Sequence, residues 1–292
     1  MKGVNVIWLA IALLSVSSSS IIVRFLPDVS ASVIAFWRMG LASILLWIYS
    51  GIKNQGELET LWRIPVIIAG VFLGFHFALF FSAVKLTKIS NATLLGTTAP
   101  LFTLVFELFV LKRRFPVVTV FGIFLAFLGV MVVQGFSVNF SSEESKGNLF
   151  ALAGSLSIAL VFLIAEKVRQ SIKTVVYCRH LFMWAALTLG VLSMFGGSSI
   201  FYFSKIDFFL FFLLGLFPSI FGHVTFNYFI KYFPPSIIIS VPLGEPVVAS
   251  IAAFIIFNEQ LPPSTLAGGA LTIAGLFILG FKNQAIDFDS ES

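Results

Sequence analysis

The chain has 292 residues, of which 59% are hydrophobic and only 11% are charged, and its mean hydropathy is +1.04. Soluble globular chains are about 45–50% apolar and about 25% charged, so this composition excludes a soluble protein. The net charge of +5 does not indicate nucleic-acid binding, because the basic residues lie in short gaps between apolar runs rather than on one face.

Apolar runs along the chain predict ten membrane-spanning helices. Clusters of charge, glycine, proline or asparagine divide the chain into segments that are each near the roughly 20 residues needed to cross a bilayer. Backbone groups in hydrocarbon must be satisfied within the segment, and the alternating ten-residue pattern of a barrel is missing, so the spans are expected to be α-helices. The predicted spans are 4–25, 32–50, 63–84, 90–111, 116–135, 147–166, 174–195, 207–230, 236–257 and 263–281.

The first apolar run follows Lys2 and resembles a secretory signal in its first residues. However, it continues without a break through Phe25, which is a spanning length. We therefore expect a first membrane span rather than a cleaved signal.

The distribution of lysine and arginine predicts the orientation. With the N-terminus inside, eleven basic residues fall in inner segments and five in outer ones, while Arg38 and Arg179 lie within spans. The positive-inside rule then places both termini in the cytoplasm, in agreement with an even number of spans. We expect a multi-pass protein of the plasma membrane, the inner membrane in a bacterium.

The two halves of the sequence repeat each other. Pro100 and Pro116 recur as Pro246 and Pro262, at an offset of 146 residues, which is half of 292. Two glycine pairs have the same offset, Gly122 with Gly268 and Gly129 with Gly275. Each half holds five predicted spans, and an odd number means that the second half enters the membrane from the opposite side. Such an inverted repeat is typical of secondary transporters that work by alternating access, with the substrate site near the midplane.

The segments Pro100–Gly129 and Glu245–Gly275, with Asn258-Glu259 at the turn, resemble the EamA family of the drug/metabolite transporter superfamily. The resemblance implies two five-helix repeats, which we place at 1–138 and 147–282, followed by an acidic tail at 283–292. It also implies a cavity lined by the first, third and fourth helices of each half, and export or exchange of amino acids or other metabolites. The family's turn glutamate is present as Glu259, but the equivalent first-half position is Arg113.

Three ionisable residues inside spans are the first candidates for substrate binding, because charges are costly in hydrocarbon. Glu245 precedes Pro246 within the ninth span, and it can bind a cationic group, take up a coupling proton, or pair with Arg179 or His223. Arg38 and Arg179 suit a carboxylate or phosphate. The alternative for the arginines is that they snorkel to the nearer interface.

Histidines in the third helix of each half, His76 and His223, are further candidates. Histidine titrates near neutral pH and can relay a proton, but the favoured alternative is a hydrogen-bonded packing role. Asn227 lies one turn beyond His223 on the same face. Two histidines without a third ligand make a poor zinc site, so we expect no metal and no cofactor.

Hydroxyl side chains complete the predicted site: Ser18 in the first span, Ser157 in the sixth, and Thr97 and Thr98 in the fourth. Serine and threonine serve helix contacts as readily as solutes. We further expect Glu107 to pair with the basic cluster Lys112–Arg114, and the glycines of spans five and ten to form close-packed faces.

The sequence thus predicts a secondary-active exporter or exchanger of a small polar metabolite. Opposite charges at Glu245 and the two arginines suit a zwitterion such as an amino acid. The pattern G-x-x-x-x-G-K-[ST] is missing, so ATP hydrolysis is not expected, whereas proton coupling is possible. The alternatives are a passive uniporter or channel and, less favoured, a lipid-modifying membrane enzyme. Either a monomer or a homodimer is compatible with the sequence.

Overall fold

The described residues of the computed structural model, 3–87, 89–134, 142–258, 260 and 263–282, form an all-helical membrane protein. Eight helical segments in this part of the chain are at least 18 residues long and apolar enough to span a membrane. Two shorter apolar helices, Val117–Val133 and Pro263–Leu279, bring the number to ten. The prediction of ten helices is confirmed.

The first half comprises spans α1 to α5. They are α1 (Gly3–Val23), α2 (Ala31–Ile52), α3 (Thr60–Leu86), α4, which consists of the two segments Ile89–Gly96 and Ala99–Phe109, and α5 (Val117–Gln134). The starts of these spans agree with the predicted ones to within three residues, because each lies beside a proline or a polar cluster that ends the apolar run.

The second half comprises spans α6 to α10. They are α6 (Ser142–Ser171), α7 (Thr174–Phe195), α8 (Lys205–Leu214, a π-helix Gly215–Val224, and Thr225–Phe229), α9 (Pro235–Ile238, a 3₁₀ turn Val241–Gly244, and Glu245–Phe257) and α10 (Pro263–Lys282). The predicted span 147–166 is too short for α6. The helix continues for a turn or more beyond the apolar run at both ends, where hydropathy has no signal.

The helices pack with the pseudo-two-fold symmetry that the sequence repeat predicts. Helix α3 packs along α6, and its repeat equivalent α8 packs along α1. The second helices of the two halves, α2 and α7, pack on each other, as do the last helices, α5 and α10. Large apolar side chains such as Phe195 point outward, as expected for lipid contact.

Glycines hold α5 and α10 at close range. A Cβ added to Gly129 would lie 2.4 Å from the Thr272 nitrogen, and one added to Gly275 would lie 2.4 Å from the Ala126 nitrogen. The Thr272 hydroxyl reaches the Ala126 carbonyl at 3.4 Å. Ala126 and Thr272 are 146 positions apart, so equivalent residues touch each other, as residues on a two-fold axis must. The predicted glycine faces are confirmed.

The two helices that carry the repeated prolines are both broken. Helix α4 is interrupted by a turn at Thr97 and Thr98, and α9 is irregular from Ile239 to Gly244. Pro246 does not lie in the middle of a regular helix. It is the second residue of the segment Glu245–Phe257, where a missing N–H costs nothing. Broken helices are a common feature of transporter substrate sites.

A substrate site between the halves

Glu245 lies at the break of α9, at the first position of the segment Glu245–Phe257. Its carboxyl is hydrogen-bonded with Ser19 of α1 and interacts electrostatically with Arg38 of α2. Within the described residues, these two opposite charges act on each other without forming a direct salt bridge. Two complementary charges are therefore held in the interior by three different helices.

Arg38 is buried, and its guanidinium is fixed from two sides. Its Nε donates to the Ser219 hydroxyl at 3.1 Å, and its Cζ lies 5.3 Å from the ring centre of Phe77 on α3. Ser219 belongs to the π-helix of α8, which also contains Pro218. A proline removes one backbone donor, and wider π turns often occur at functional sites. The Arg38 charge is thus held in place by neutral groups rather than by an acid.

The two histidines lie within electrostatic reach of this arginine. His76 is hydrogen-bonded through Nδ1 to the Gly154 carbonyl of α6 at 2.9 Å, and so donates from that nitrogen. His223, in the π-helix, interacts electrostatically with both Arg38 and His76. Both histidines, which come from the equivalent third helices of the two halves, therefore interact electrostatically with Arg38.

The predicted hydroxyl residues are mostly engaged within their own helices. Ser18 donates to the Ser15 carbonyl at 2.7 Å and Ser157 to the Ala153 carbonyl at 2.8 Å. Thr97 bonds the Leu94 carbonyl at 2.8 Å. Thr98 differs, because its hydroxyl also lies 2.9 Å from that of Ser155 on α6 and so joins the break of α4 to the second half.

Arg179 does not join Arg38 and Glu245. Its guanidinium lies 4.0 Å from the ring centre of Trp47 and bonds the Ser50 hydroxyl and the Gly56 carbonyl, the latter at 2.8 Å. Ser50 is twelve residues from Arg38 along α2, or about 18 Å at 1.5 Å per residue. The structure therefore does not bring the two arginines together, and of the partners considered for Glu245 it is Arg38, not Arg179, that acts on its carboxyl.

Asn227 also lies apart from the charged pair. It is one turn beyond His223, as predicted, but its amide nitrogen donates to the His223 carbonyl at 2.8 Å. Its backbone carbonyl accepts from Arg169 Nε at 2.9 Å. The amide nitrogen is thus engaged within its own helix, because asparagine readily bonds a carbonyl one turn back, whereas the buried Oδ1 has no hydrogen-bond partner among the described residues.

A second charged cluster joins the halves at the end predicted to face the cytoplasm. Arg113, in the turn after α4, bonds Glu107 at 2.7 Å and Glu166 of α6 at 2.8 Å. Glu107 also accepts the Ser236 backbone N–H of α9 at 3.2 Å. Burial lowers the pKa of Arg113, but the carboxylates of Glu166 and Glu107 outweigh it and hold that pKa above its usual value.

The predicted pairing of Glu107 with the basic cluster is confirmed for Arg113. Glu166 and Ser219 were not among the predicted residues. Glu166 carried a usable signal, because it is an acid at the end of an apolar run. Ser219 carried none, since its role depends on the π turn. Glu259, Pro262 and the tail 283–292 lie outside the described residues.

Comparison with known proteins gives one family for both halves. The profile of the EamA-like transporter family matches residues 4–134 and again 145–281. An S-adenosylmethionine uptake transporter of Rickettsia prowazekii (strain Madrid E) is 25% identical over 311 residues, covering 99% of this chain and 96% of that protein. The corresponding transporter of Rickettsia felis (strain ATCC VR-1525 / URRWXCal2) is 26% identical over 302 residues, covering 98% and 95%.

Two further similarities extend the comparison. An uncharacterized transporter of Archaeoglobus fulgidus is 25% identical over 286 residues, covering 94% of this chain and 97% of that protein. A solved crystal structure superposes with a TM-score of 0.81 at 17% identity, covering 96% of this chain and 98% of the other. That likeness concerns the fold alone.

Proposed function

Since the chain belongs to the EamA-like transporter family, whose profile matches both of its halves, we propose that it is a secondary-active carrier of a zwitterionic, amino-acid-like metabolite. The observation that carries the proposal is the pair Glu245 and Arg38, opposite charges held in the interior at the break of α9. The chain is an integral multi-pass membrane transporter and not an enzyme. The substrate and the coupling are the proposal.

A zwitterion fits this pair by charge and geometry. The Arg38 guanidinium lies against Phe77 and Ser219, so it is oriented without being neutralised and can receive a carboxylate. Glu245 can receive the ammonium group. Since the two side chains form no direct salt bridge, a substrate that bridges them does not first have to break one.

The relatives suggest which zwitterion to test first. Transporters of Rickettsia prowazekii and Rickettsia felis that align along nearly the whole chain carry out S-adenosylmethionine uptake. S-adenosylmethionine contains an α-amino acid and a second positive charge, so both Arg38 and Glu245 have a partner in it. At 25–26% identity we take it as the leading candidate, with uptake or exchange as the direction.

Proton coupling is proposed through Glu245 and Ser19. The Ser19 hydroxyl has a single hydrogen, and it lies 2.7 Å from the Val16 carbonyl as well as in hydrogen-bonding contact with Glu245. When the Ser19 hydroxyl donates its hydrogen to the Val16 carbonyl, this hydroxyl can only accept a hydrogen bond from Glu245. Such a bond requires that the Glu245 carboxyl is protonated. Release of the proton would let the hydroxyl rotate and donate to the carboxylate.

Alternating access is proposed from the repeat. The two five-helix units, at 1–138 and 147–282, would rock about α5 and α10, with both termini in the cytoplasm of a plasma membrane and with either a monomer or a homodimer as the working unit. The Arg113 cluster supports this view, because it ties both units together at one end.

The test is flux of labelled S-adenosylmethionine, and then of amino acids, into proteoliposomes holding the purified protein. We expect Glu245→Gln to lose most of the flux while its melting temperature stays near that of the wild type. The matched control is Glu59→Gln, which makes the same change at an exposed carboxyl before α3. Undiminished flux in Glu245→Gln would exclude that carboxyl from the mechanism.

The same vesicles separate the alternatives. A carrier shows saturation and acceleration by substrate on the opposite side, whereas a passive channel shows neither. Turnover of a labelled lipid by the purified protein would instead support a membrane enzyme.

A further inference from the structure

A polar cavity opens at the end of the molecule predicted to face the cytoplasm. It measures about 300 Å³ and lies between the α6–α7 turn, the end of α8 and the loop after α2. Three cations line it, Arg169, Lys173 and Lys231, together with hydroxyl groups from Thr174 and Tyr232. No carboxylate is among the described residues that line this cavity.

Arg169 is a buried cation without an acidic partner. Only 4% of it is exposed, and its hydrogen bonds go to the Asn227 carbonyl and the Thr174 hydroxyl, which are both neutral. The titratable groups that act on it most strongly are one cysteine and three tyrosines, and no carboxylate is among them. Glu166, one turn earlier, is bound to Arg113 instead, and no described carboxylate lies within salt-bridge distance of Arg169.

A buried charge without a counterion is costly, because no opposite charge offsets its loss of hydration. Such a group persists where it binds something. The wall of the cavity beside Arg169 is the first turn of α7, which begins at Thr174 after Lys173. No side chain caps this helix start, so its first backbone N–H groups add to the positive potential.

We infer that this cavity binds a phosphoryl group, held by Arg169, Lys173, Lys231 and the uncapped start of α7. Arginine matches the geometry of phosphate oxygens, and lysines add charge. The phosphoryl group comes either from an anionic phospholipid of the adjoining leaflet or from a soluble phosphate compound. This site is separate from Glu245 and Arg38 and does not depend on the proposed transport.

The test uses the full chain in nanodiscs of zwitterionic phosphatidylcholine. In one arm, inorganic phosphate and glycerol 3-phosphate are titrated at constant ionic strength while heat and melting temperature are recorded. In the other arm, phosphatidylglycerol replaces part of the lipid, and native mass spectrometry counts the lipids retained. Binding in the first arm identifies a soluble ligand, and selective retention of phosphatidylglycerol in the second identifies a headgroup.

Ligand binding is compared between variants inside the cavity and a variant on the neighbouring surface. The double change Lys173→Gln and Lys231→Gln should weaken binding about thirtyfold, at about fivefold for each lysine near the surface. Lys53→Gln removes an exposed cation from the same end of the molecule but outside the cavity, and should bind as the wild type does.

Arg169→Gln separates binding from structure. It should abolish the ligand-induced rise in melting temperature without lowering the melting temperature measured in the absence of ligand, because an uncompensated charge is removed. Absence of binding in both arms, or equal binding by the double lysine variant, would overturn the inference. Either result can be obtained even if Arg169→Gln fails to fold.

Discussion

At the scale of single residues, the interior of the protein holds a cation whose hydrogen-bond partner is a hydroxyl. Arg38 bonds Ser219 and lies against Phe77, while Glu245 acts on it through space. The planar guanidinium makes both contacts at once, because its edge donates and its face covers a ring. A lysine at the same place has the charge without this geometry.

We expect Arg38→Lys to raise the substrate concentration for half-maximal flux about tenfold, about 1.4 kcal/mol of binding free energy. Retention of the charge should leave the fold intact, so the melting temperature provides the first check. Arg63→Lys, at an exposed arginine of α3, is the matched control and should change neither quantity. An unaltered half-maximal concentration in Arg38→Lys would show that the substrate does not contact the guanidinium.

At the scale of helices, α5 and α10 differ from the rest in how close their backbones come. Gly129 faces the Gly268 carbonyl, which would lie 2.5 Å from an added Cβ, and Gly275 faces the Gly122 carbonyl at 2.7 Å. Lipid supplies little hydrophobic force between helices, so such small-residue contacts are what hold the pair together. Their symmetry is the reason that α5 and α10 are the pivot in the alternating access proposed above.

The substitution Gly129→Ala should therefore destabilise the protein by about 1–3 kcal/mol, since the new methyl group meets backbone atoms that cannot rotate away. Thermal unfolding in detergent measures the effect. In Gly51→Ala, the added Cβ meets nothing within 4 Å in the last turn of α2, so this variant should be neutral or slightly more stable. Equal melting temperatures for the two variants would contradict the close packing.

At the scale of the whole molecule, Arg113 joins elements from both halves at one end. Glu107 and Arg113 belong to the first half, whereas Glu166 and the Ser236 N–H belong to the second. Residues Pro235–Ile238 also pack against Ala99–Phe109, so the start of α9 and the end of α4 close the same end. Opening toward that side has to separate these groups.

Loss of this cluster should favour the conformation open at that end. Arg113 is 24% exposed, so we expect Arg113→Gln to shift the equilibrium about tenfold rather than by the full value of a buried pair. The measurement is the rate at which a membrane-impermeant maleimide labels Ser236→Cys in a Cys178→Ser background. Both Ser236 and Cys178 are buried in the closed arrangement.

Two controls accompany the labelling. Arg114→Gln removes the exposed neighbouring cation and should not change the rate. An exposed residue at the opposite end, tested as Ser199→Cys, should label no faster with Arg113→Gln than without it. If position 236 is labelled at the same rate with and without Arg113→Gln, the cluster is structural and does not control access.

The sequence alone was enough for the membrane fold and its symmetry. Composition and hydropathy determine how many apolar segments are long enough to span, and an offset of 146 shows that the prolines and glycines of the halves are equivalent. These properties are local or linear along the chain. The same holds for Glu107 and Arg113, which are close in sequence and were predicted to pair.

The partners of the interior charges were decided by the tertiary structure. Which cation faces Glu245 depends on the depth and rotation of α2, α7 and α9, so Arg38 and Arg179 were indistinguishable as sequence positions. Ser219 meets Arg38 only because α8 widens into a π turn, and Arg169 lacks an acid because Glu166 turns to Arg113 instead. Hydropathy measures how much each helix prefers lipid, whereas contacts between helices depend on which face each one turns inward.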